Sequence, residues 1–182
     1  AQGGRRGALM LSISVHHPQV MDFIKIKRDL TRVTGANISV RVTDEFMEAV
    51  KVGDDYHQRW PVDSKDPEVQ YHTSAREVWD ALIEGAHASA EPGVLFWDTA
   101  TRMTPSDAYS DLGFGSVSTN PCGEIILSPY DSCRLMLINL TSFVENAWQK
   151  NAKFNFGEFR VVAKKAQRLM DDMIDLEIEQ VD

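Results

Sequence analysis

The sequence predicts an α/β fold in which strands alternate with helices along the chain. Short apolar runs typical of strands occur at residues 8–15, 37–42 and 94–97. Segments with apolar residues at steps of three and four follow the first two runs and dominate the end of the chain. Capping and turn residues separate these segments. With 182 residues, 43% hydrophobic and 25% charged, the composition is that of a globular chain with a sizeable core.

The first strand is expected over residues 8–15, where five apolar side chains crowd a short run: Leu9, Met10, Leu11, Ile13 and Val15. His17 and Pro18 then open a helix, since proline suits the first helical turn. Val20, Phe23, Ile24 and Lys27 continue it at helical spacing. The adjacent His16 and His17 would face opposite ways on a strand, so we expect cap and turn roles for them and no shared metal ion.

The second strand is expected over residues 37–42, with Ile38, Val40 and Val42 on one face. Thr43 caps the next helix, and two acidic residues follow it in the first turn, where the helix dipole favours anions. The buried stripe of this helix is Phe46, Ala49 and Val50. Residues 53–66 are polar and rich in turn signals, which fits either a short hairpin or an irregular excursion.

Ser74 and Glu77 form a capping box for a third helix, which runs to about Ala88. Its expected buried residues are Val78, Ala81, Leu82 and Ala86. Residues 94–97 form the third strand, and residues 99–115 are expected to be a loop.

The rest of the chain contains one apolar segment and one long helix. Residues 135–144 fit a strand or a short helix. Residues 156–178 predict a long helix, and six apolar residues at helical spacing are expected to be buried: Phe159, Val162, Ala166, Leu169, Met173 and Ile174.

Charge and hydropathy exclude several classes of function. The formal net charge is −8, which argues against broad nucleic-acid binding but leaves room for a local phosphate pocket. No segment approaches the roughly 18 apolar residues of a membrane span, and no signal peptide is visible. We therefore expect a cytoplasmic location with reduced thiols.

Both cysteines lie in one polar stretch, in which residues 118–124 read STNPCGE and residues 130–133 read YDSC. In an extended segment the side-chain period is two, so Asn120, Cys122 and Glu124 would point to the same side. A thiol, an amide and a carboxylate on one surface suit hydrogen abstraction or nucleophilic attack, substrate positioning and proton transfer respectively.

The alternative interpretation is structural, because cysteines in such chains are often small buried hydrophobes. A zinc site is not expected, since two thiols 11 residues apart match no common ligand pair and no nearby histidine completes a set. A structural disulfide is not expected in a reducing compartment.

A resemblance to a known family favours a catalytic role for these cysteines over a structural one. STNPCGEI at residues 118–125, then PYDSC at 129–133 and INL at 138–140, resembles the active-site finger loop of the catalytic subunit of ribonucleotide reductases. The spacing of 11 residues between Cys122 and Cys133 resembles the adenosylcobalamin-dependent class II enzymes, because class I enzymes place the second cysteine about twice as far along. Residues 3–8, 37–47 and 170–175 also resemble the family pattern.

The resemblance implies a ten-stranded α/β barrel whose central finger loop carries the active-site cysteine. Residues 1–182 would be a single partial domain from the middle of this barrel, with the N-terminal and C-terminal parts of the enzyme missing. The chain opens without Met in a glycine-rich turn, which also favours an internal piece. Such a piece is expected to be inactive alone.

The resemblance also implies residue roles. Cys122 would be the thiyl-radical cysteine, Glu124 the base and Asn120 a substrate contact, while Cys133 would be one half of a redox pair whose partner lies upstream of residue 1. Further substrate contacts would come from Ser118, Thr119 and Gly123. The specificity loop, between a bound effector and the substrate base, would include Gly3, Gly4, Arg5 and Arg6.

The implied ligands follow from the same resemblance. They are adenosylcobalamin, a ribonucleoside di- or triphosphate substrate and a deoxynucleoside triphosphate effector. The implied partners are the remaining parts of the reductase, an external dithiol reductant such as thioredoxin, and a second copy in a homodimer. No resident metal site, nucleic acid or membrane is implied. Two alternatives stay open: a class I catalytic subunit, with its radical delivered by a partner protein, and a non-catalytic interaction or regulatory domain of the same fold.

Overall fold

The computed structural model describes residues 7–181, and their side chains as far as residue 180. The expected specificity-loop residues Gly3, Gly4, Arg5 and Arg6 lie outside the described residues. The chain divides into two compact units, with the boundary between Ser132 and Cys133.

The first unit mixes helices and strands in the alternating order that the sequence predicts. Its elements, in chain order, are β1 (Met10–Ser14), α1 (Val20–Lys25), a 3-10 turn (Ile26–Arg28), β2 (Asn37–Val42), α2 (Asp44–Val52), β3 (Asp55–Trp60), β4 (Val69–Ser74), α3 (Ala75–Ser89), β5 (Gly93–Phe96), α4 (Trp97–Met103), a 3-10 segment (Pro105–Leu112), β6 (Ser118–Thr119) and β7 (Ile126–Leu127).

A three-stranded parallel sheet in the order β1-β2-β5 forms the centre of this unit. β2 is the middle strand, so both of its edges are paired with neighbouring strands. On one face Ile38, Val40 and Val42 are at most 1% exposed, which confirms the predicted apolar face. The core continues into the helices and the β3–β4 hairpin through these residues: Val15, Val20, Ile24, Phe46, Val50, Tyr56, Ala75, Val78 and Leu82.

The predicted helix caps are confirmed. Thr43 Oγ1 accepts a hydrogen bond from the amide of Phe46 at 3.2 Å, and Ser74 Oγ accepts one from the amide of Glu77 at 3.4 Å. These bonds satisfy amides that have no partner inside the helix. The expected burial of Ala86 is wrong, because that residue is exposed and Gly85 occupies the buried position instead. A Cβ at residue 85 would lie 3.2 Å from the carbonyl oxygen of Glu91, so the helix approaches the following loop closely there.

Residues 53–66 belong to a hairpin, the first of the two possibilities that the sequence left open. β3 pairs antiparallel with β4, from Asp55 opposite Ser74 to Trp60 opposite Val69. This hairpin packs on the turn after β1, where His16 is 2% exposed. The turn positions of His16 and His17 are confirmed, and His17 Nδ1 accepts a hydrogen bond from the amide of Gln19 at 3.0 Å.

Residues 99–115 are not a loop, and this expectation is wrong. They hold α4 and the following 3-10 segment. The helix is stabilised by tertiary contacts that sequence periodicity does not reveal. Asp98 Oδ2 accepts a hydrogen bond from the amide of Asp44 at 2.8 Å, and Arg102 pairs with the Asp44 carboxylate at 2.6 Å. α4 is thereby attached to the start of α2.

The second unit consists of short elements and one long helix. Its elements are a 3-10 turn (Leu140–Phe143), β8 (Val144–Glu145), β9 (Lys153–Phe154) and α5 (Phe156–Val181). Residues 135–144 are therefore neither one strand nor one helix, but irregular chain followed by the 3-10 turn. Phe143, Phe154 and Phe159 pack together around the start of α5, with ring centroids 5.4 to 6.1 Å apart, and Phe159 meets the other two rings edge to face.

The predicted long helix is confirmed, and its predicted buried stripe is only partly correct. Phe159, Val162 and Ala166 are half-buried. The later members of the stripe, Leu169, Met173 and Ile174, are between 38% and 53% exposed. The reason is that the short elements of this unit cover only the first half of the helix.

The described residues form one three-stranded sheet and three two-stranded sheets, and none of these closes into a barrel. Within residues 7–181, no helix combines the length and the apolar character that crossing a membrane requires.

Candidate active site

Cys122 lies in the loop of a small antiparallel hairpin in the first unit. β6 and β7 pair with Ser118 opposite Leu127 and Thr119 opposite Ile126, so residues 120–125 connect them. The predicted position of Cys122, on a loop between two elements, is confirmed. The residue is exposed and its thiol is free. A reactant can therefore approach it from outside the loop.

Asn120 organises this loop from within. It is only 5% exposed. Its backbone amide donates to the Ile125 carbonyl at 3.1 Å, and its side-chain oxygen accepts from the Ile125 amide at 3.0 Å. Its carbonyl accepts from the Gly123 amide at 3.0 Å and from the Thr119 hydroxyl at 2.9 Å. The Asn120 side chain thus holds the two ends of the loop together, as a backbone hydrogen bond between paired strands would.

The other end of the Asn120 amide reaches Glu124. Nδ2 donates a hydrogen bond of 2.6 Å to Glu124 Oε1. The amide and the carboxylate that flank Cys122 in the sequence are therefore in contact. The expectation of an extended segment is wrong, because residues 120–123 form a turn in which the Gly123 amide donates to the Asn120 carbonyl. That all three side chains point to the same side stays a prediction. An ionised carboxylate has about four lone-pair sites, so Glu124 can still accept a hydrogen bond from a hydroxyl group of a ligand. The arrangement can combine a thiol reaction with proton transfer.

Gly123 allows the tight turn beside the thiol. Its φ is +84°, in the left-handed region that residues with a Cβ rarely adopt. A Cβ at this position would lie 3.5 Å from Cδ2 of Leu95 on β5, an ordinary van der Waals distance. The loop therefore passes close to the face of the central sheet opposite to the helices.

Sequence reasoning missed two residues that attach the hairpin to this sheet face. Asn37 Nδ2 donates to the Pro121 carbonyl at 2.6 Å, and Arg41 Nη1 donates to the Val117 carbonyl at 3.3 Å. A signal was available, because both are polar residues on the same face of a strand whose other face is apolar. Their contact with the cysteine segment, more than 70 residues away, could not be read from the sequence.

The other predicted site residues have mixed surroundings. Thr119 is 5% exposed and uses its hydroxyl inside the loop, whereas Ser118 is half-buried. Cys133 belongs to the second unit, where it is half-buried with a free thiol. Its predicted redox pairing stays a prediction. Within residues 7–181, no three His, Cys, Asp or Glu side chains are grouped so that they could hold a metal ion.

With this geometry in place, comparison with known proteins identifies the class. The family model described as "Ribonucleotide reductase, barrel domain" matches residues 1–182. The chain belongs to this family.

Three curated relatives of the chain are named as vitamin B12-dependent reductases. The chain is 39% identical over 176 residues to the vitamin B12-dependent ribonucleoside-diphosphate reductase of Thermoplasma acidophilum, which covers 96% of this chain and 22% of that protein. It is 35% identical over 175 residues to the enzyme of the same name from Mycobacterium tuberculosis, with 96% and 24% covered. It is 28% identical over 195 residues to a vitamin B12-dependent ribonucleotide reductase of Rhodopirellula baltica, with 92% and 18% covered. The chain therefore spans less than a quarter of the length of each of these curated relatives.

Proposed function

We propose that this chain forms part of a vitamin B12-dependent ribonucleotide reductase, which converts ribonucleoside di- or triphosphates into deoxyribonucleotides for DNA synthesis. The observation that carries the proposal is the hydrogen bond from Asn120 to Glu124 in the loop that exposes Cys122. The names of the relatives described above support the same reaction and the same cofactor.

In the full-length enzyme the Cys122 hairpin would be the finger loop at the centre of a ten-stranded α/β barrel. The parallel order β1-β2-β5 supports this, since consecutive parallel strands with helices on one side are the usual wall of such a barrel. The hairpin lies on the face of the sheet opposite to the helices, which would be the interior face. A barrel interior keeps a reactive sulfur away from solvent.

The side chains divide the reaction among them. Cys122, as a thiyl radical, would take the hydrogen atom from the 3′ carbon of the ribose and form an S–H bond. Glu124 would accept the proton of the 3′ hydroxyl, and the 2′ hydroxyl would leave as water after taking a proton from a thiol of the redox pair. Cys122 would finally return its hydrogen atom to the 3′ carbon. Asn120 would keep Glu124 in position, and its bond to the carboxylate supports this role. The neighbouring residues Ser118, Thr119 and Gly123 would contact the substrate.

Reduction at the 2′ carbon also requires two electrons. Cys133 and a second cysteine of the full-length enzyme would supply them and become a disulfide. An external dithiol such as thioredoxin would then reduce this disulfide, which returns both thiols for the next turnover.

The exposed, unpaired thiol of Cys122 fits a cofactor that must reach it from outside the loop. Cys122 is therefore the residue that would face adenosylcobalamin. When bound, adenosylcobalamin supplies the initiating radical by homolysis of its cobalt–carbon bond. The residues of this chain keep the thiol accessible and hold its neighbours in place.

Regulation and assembly would involve parts beyond the described residues. A deoxynucleoside triphosphate effector would bind next to Gly3, Gly4, Arg5 and Arg6. The enzyme would work as a homodimer in the cytoplasm.

A direct assay tests the proposal. The full-length enzyme is incubated with a ribonucleoside di- or triphosphate and a dithiol, with and without adenosylcobalamin. Deoxynucleotide formed only with adenosylcobalamin is the expected result. Product that requires a radical-generating partner protein instead would indicate a class I enzyme, and no product under any of these conditions would indicate a non-catalytic domain.

A further inference from the structure

The central strand β2 has two different faces. Ile38, Val40 and Val42 lie on the buried apolar face, where Val40 and Val42 belong to the core shared with the helices. The opposite face carries Asn37, Ser39 and Arg41. The outer two of these side chains donate hydrogen bonds to the hairpin that holds Cys122.

Asn37 contacts the hairpin beside the cysteine. Its Nδ2 donates to the carbonyl of Pro121, the residue immediately before Cys122, at 2.6 Å. The backbone of β2 is itself fixed here, since the Asn37 amide donates to the Leu9 carbonyl at 2.8 Å and the Ile38 amide donates to Glu91 Oε1 at 3.0 Å. The Asn37 side chain therefore connects a fixed strand end to the peptide that precedes the thiol.

Arg41 contacts the hairpin at its base. Its Nη1 donates to the carbonyl of Val117 at 3.3 Å, and its guanidinium lies 4.9 Å from the ring centre of Trp97. Val117 is already fixed to the other arm of the hairpin, because its amide donates to the Leu127 carbonyl at 2.9 Å. Burial of a guanidinium costs free energy, and the Nε of Arg41 is buried without a partner among the described residues. The bond to Val117 and the contact with Trp97 offset part of this cost.

We propose that Asn37 and Arg41 are positioning residues that orient the Cys122 loop by holding the hairpin at two points on β2. The two side chains are four positions apart, which is about 13 Å along a strand. A single bond would let the hairpin pivot, whereas two separated bonds fix its direction. The inference rests on the proposed function, since it assigns Asn37 and Arg41 the task of aiming the reactive thiol at the substrate.

The experiment uses the full-length enzyme and two near-isosteric variants. Asn37→Asp keeps the size of the side chain but replaces the donor with an oxygen that repels the Pro121 carbonyl. Arg41→Met keeps most of the length but removes every donor. Matched controls are Asn151→Asp and Arg76→Met, both at exposed positions, with Arg76 paired to Asp80 on its own helix. Asn37→Gln keeps an amide donor and should restore part of any loss.

Two readouts separate positioning from simple loss of folded protein. The first is the isotope effect on kcat with a 3′-deuterated ribonucleotide, which does not depend on how many molecules are folded. The second is the rate of alkylation of Cys122 by iodoacetamide relative to that of Cys133, measured by mass spectrometry without turnover. We expect kcat to fall about 10- to 100-fold, because misplacement by about 1 Å can cost 10²-fold. The isotope effect should rise, and the alkylation ratio should change several-fold, in both variants and in neither control.

The outcomes distinguish failure of the positioning role from failure of the proposed function. If wild-type enzyme makes deoxynucleotide and both variants keep its isotope effect and its alkylation ratio, the positioning role is wrong. If wild-type enzyme makes no product under any condition, the proposed function fails, and the alkylation ratio still decides whether Asn37 and Arg41 orient the loop. If Asn37→Asp does not fold, Arg41→Met with its control Arg76→Met provides the comparison.

Discussion

The side-chain amide of Asn120 donates a 2.6 Å hydrogen bond to the carboxylate of Glu124 in the loop that exposes Cys122. The same amide accepts a bond from the backbone of Ile125 through its oxygen. Asn120 therefore fixes the position of the Glu124 carboxylate relative to the backbone of the hairpin. The base in the proposed reaction is held by a residue that the loop itself holds.

Glu124→Gln tests the proton-transfer role in the full-length enzyme. Glutamine keeps the shape and can still accept the bond from Asn120, but it cannot take a proton. We expect kcat to fall about 10²- to 10⁴-fold with little change in KM. Steady-state kinetics measure both, and the exposed Glu68→Gln is the control. A change confined to KM would mean that Glu124 only binds the substrate.

The two cysteines should fail in different ways. Cys122→Ser should abolish all turnover, because an alcohol O–H bond is too strong for the hydroxyl to replace the thiol in radical chemistry. Cys133→Ser should still abstract the 3′ hydrogen but should not complete reduction. A ribonucleotide tritiated at the 3′ carbon distinguishes the variants, since only Cys133→Ser should release tritium to water. Product formation by Cys122→Ser, or the absence of tritium release in both variants, would remove the radical role from Cys122.

Gly123→Ala tests the left-handed backbone beside the thiol. A Cβ at φ +84° costs about 1–2 kcal/mol in local strain, whereas the 3.5 Å distance to Leu95 is tolerable. We expect the loop to open roughly 5- to 30-fold more often. Hydrogen exchange of the Ile125 amide, which is bonded to Asn120, reports this opening. Gly35→Ala, where a Cβ would meet no atom within 4 Å, should leave the exchange rate unchanged.

His16 should make the stability of the first unit depend on pH. Burial lowers the pKa of His16, although the hydrogen bond to the His57 carbonyl partly opposes the shift. In the unfolded chain the pKa of His16 has its ordinary value near 6.5. Just below that pH, His16 therefore binds a proton in the unfolded chain but not in the folded chain. The contribution of neutral His16 to the free energy of unfolding is complete above about pH 6.5. It is lost as the pH falls from there toward the pKa of His16 in the folded chain.

The measurement for His16 is urea unfolding of the 182-residue chain at pH 7.5 and pH 5.5. His16→Gln should lower the free energy of unfolding at pH 7.5, since it loses bonds to His57 and Thr43. It should also reduce the difference between the two pH values. The exposed His87→Gln should keep the wild-type difference. An equal pH dependence in wild-type protein and His16→Gln would contradict the assignment.

Local patterns sufficed for much of the fold. The strand Asn37–Val42 and the caps Thr43 and Ser74 were predicted because side-chain period and capping depend on neighbouring residues. The helix Trp97–Met103 was missed, because the contacts of Asp98 and Arg102 with Asp44 lie outside any local window. The exposure of Leu169 and Met173 was missed for a related reason, since periodicity predicts an apolar stripe and not the surface that covers it.

The sequence by itself determined the chemical groups of the site and their order, because STNPCGE places an amide, a thiol and a carboxylate at alternate positions. Only the tertiary structure decided how these groups are held. The bond between Asn120 and Glu124 forms across a closed loop, and Asn37 and Arg41 reach that hairpin from a strand more than 70 residues earlier. The physical reason is that side-chain type and period are local properties, whereas the direction of a loop is fixed by contacts between segments that are distant in the chain.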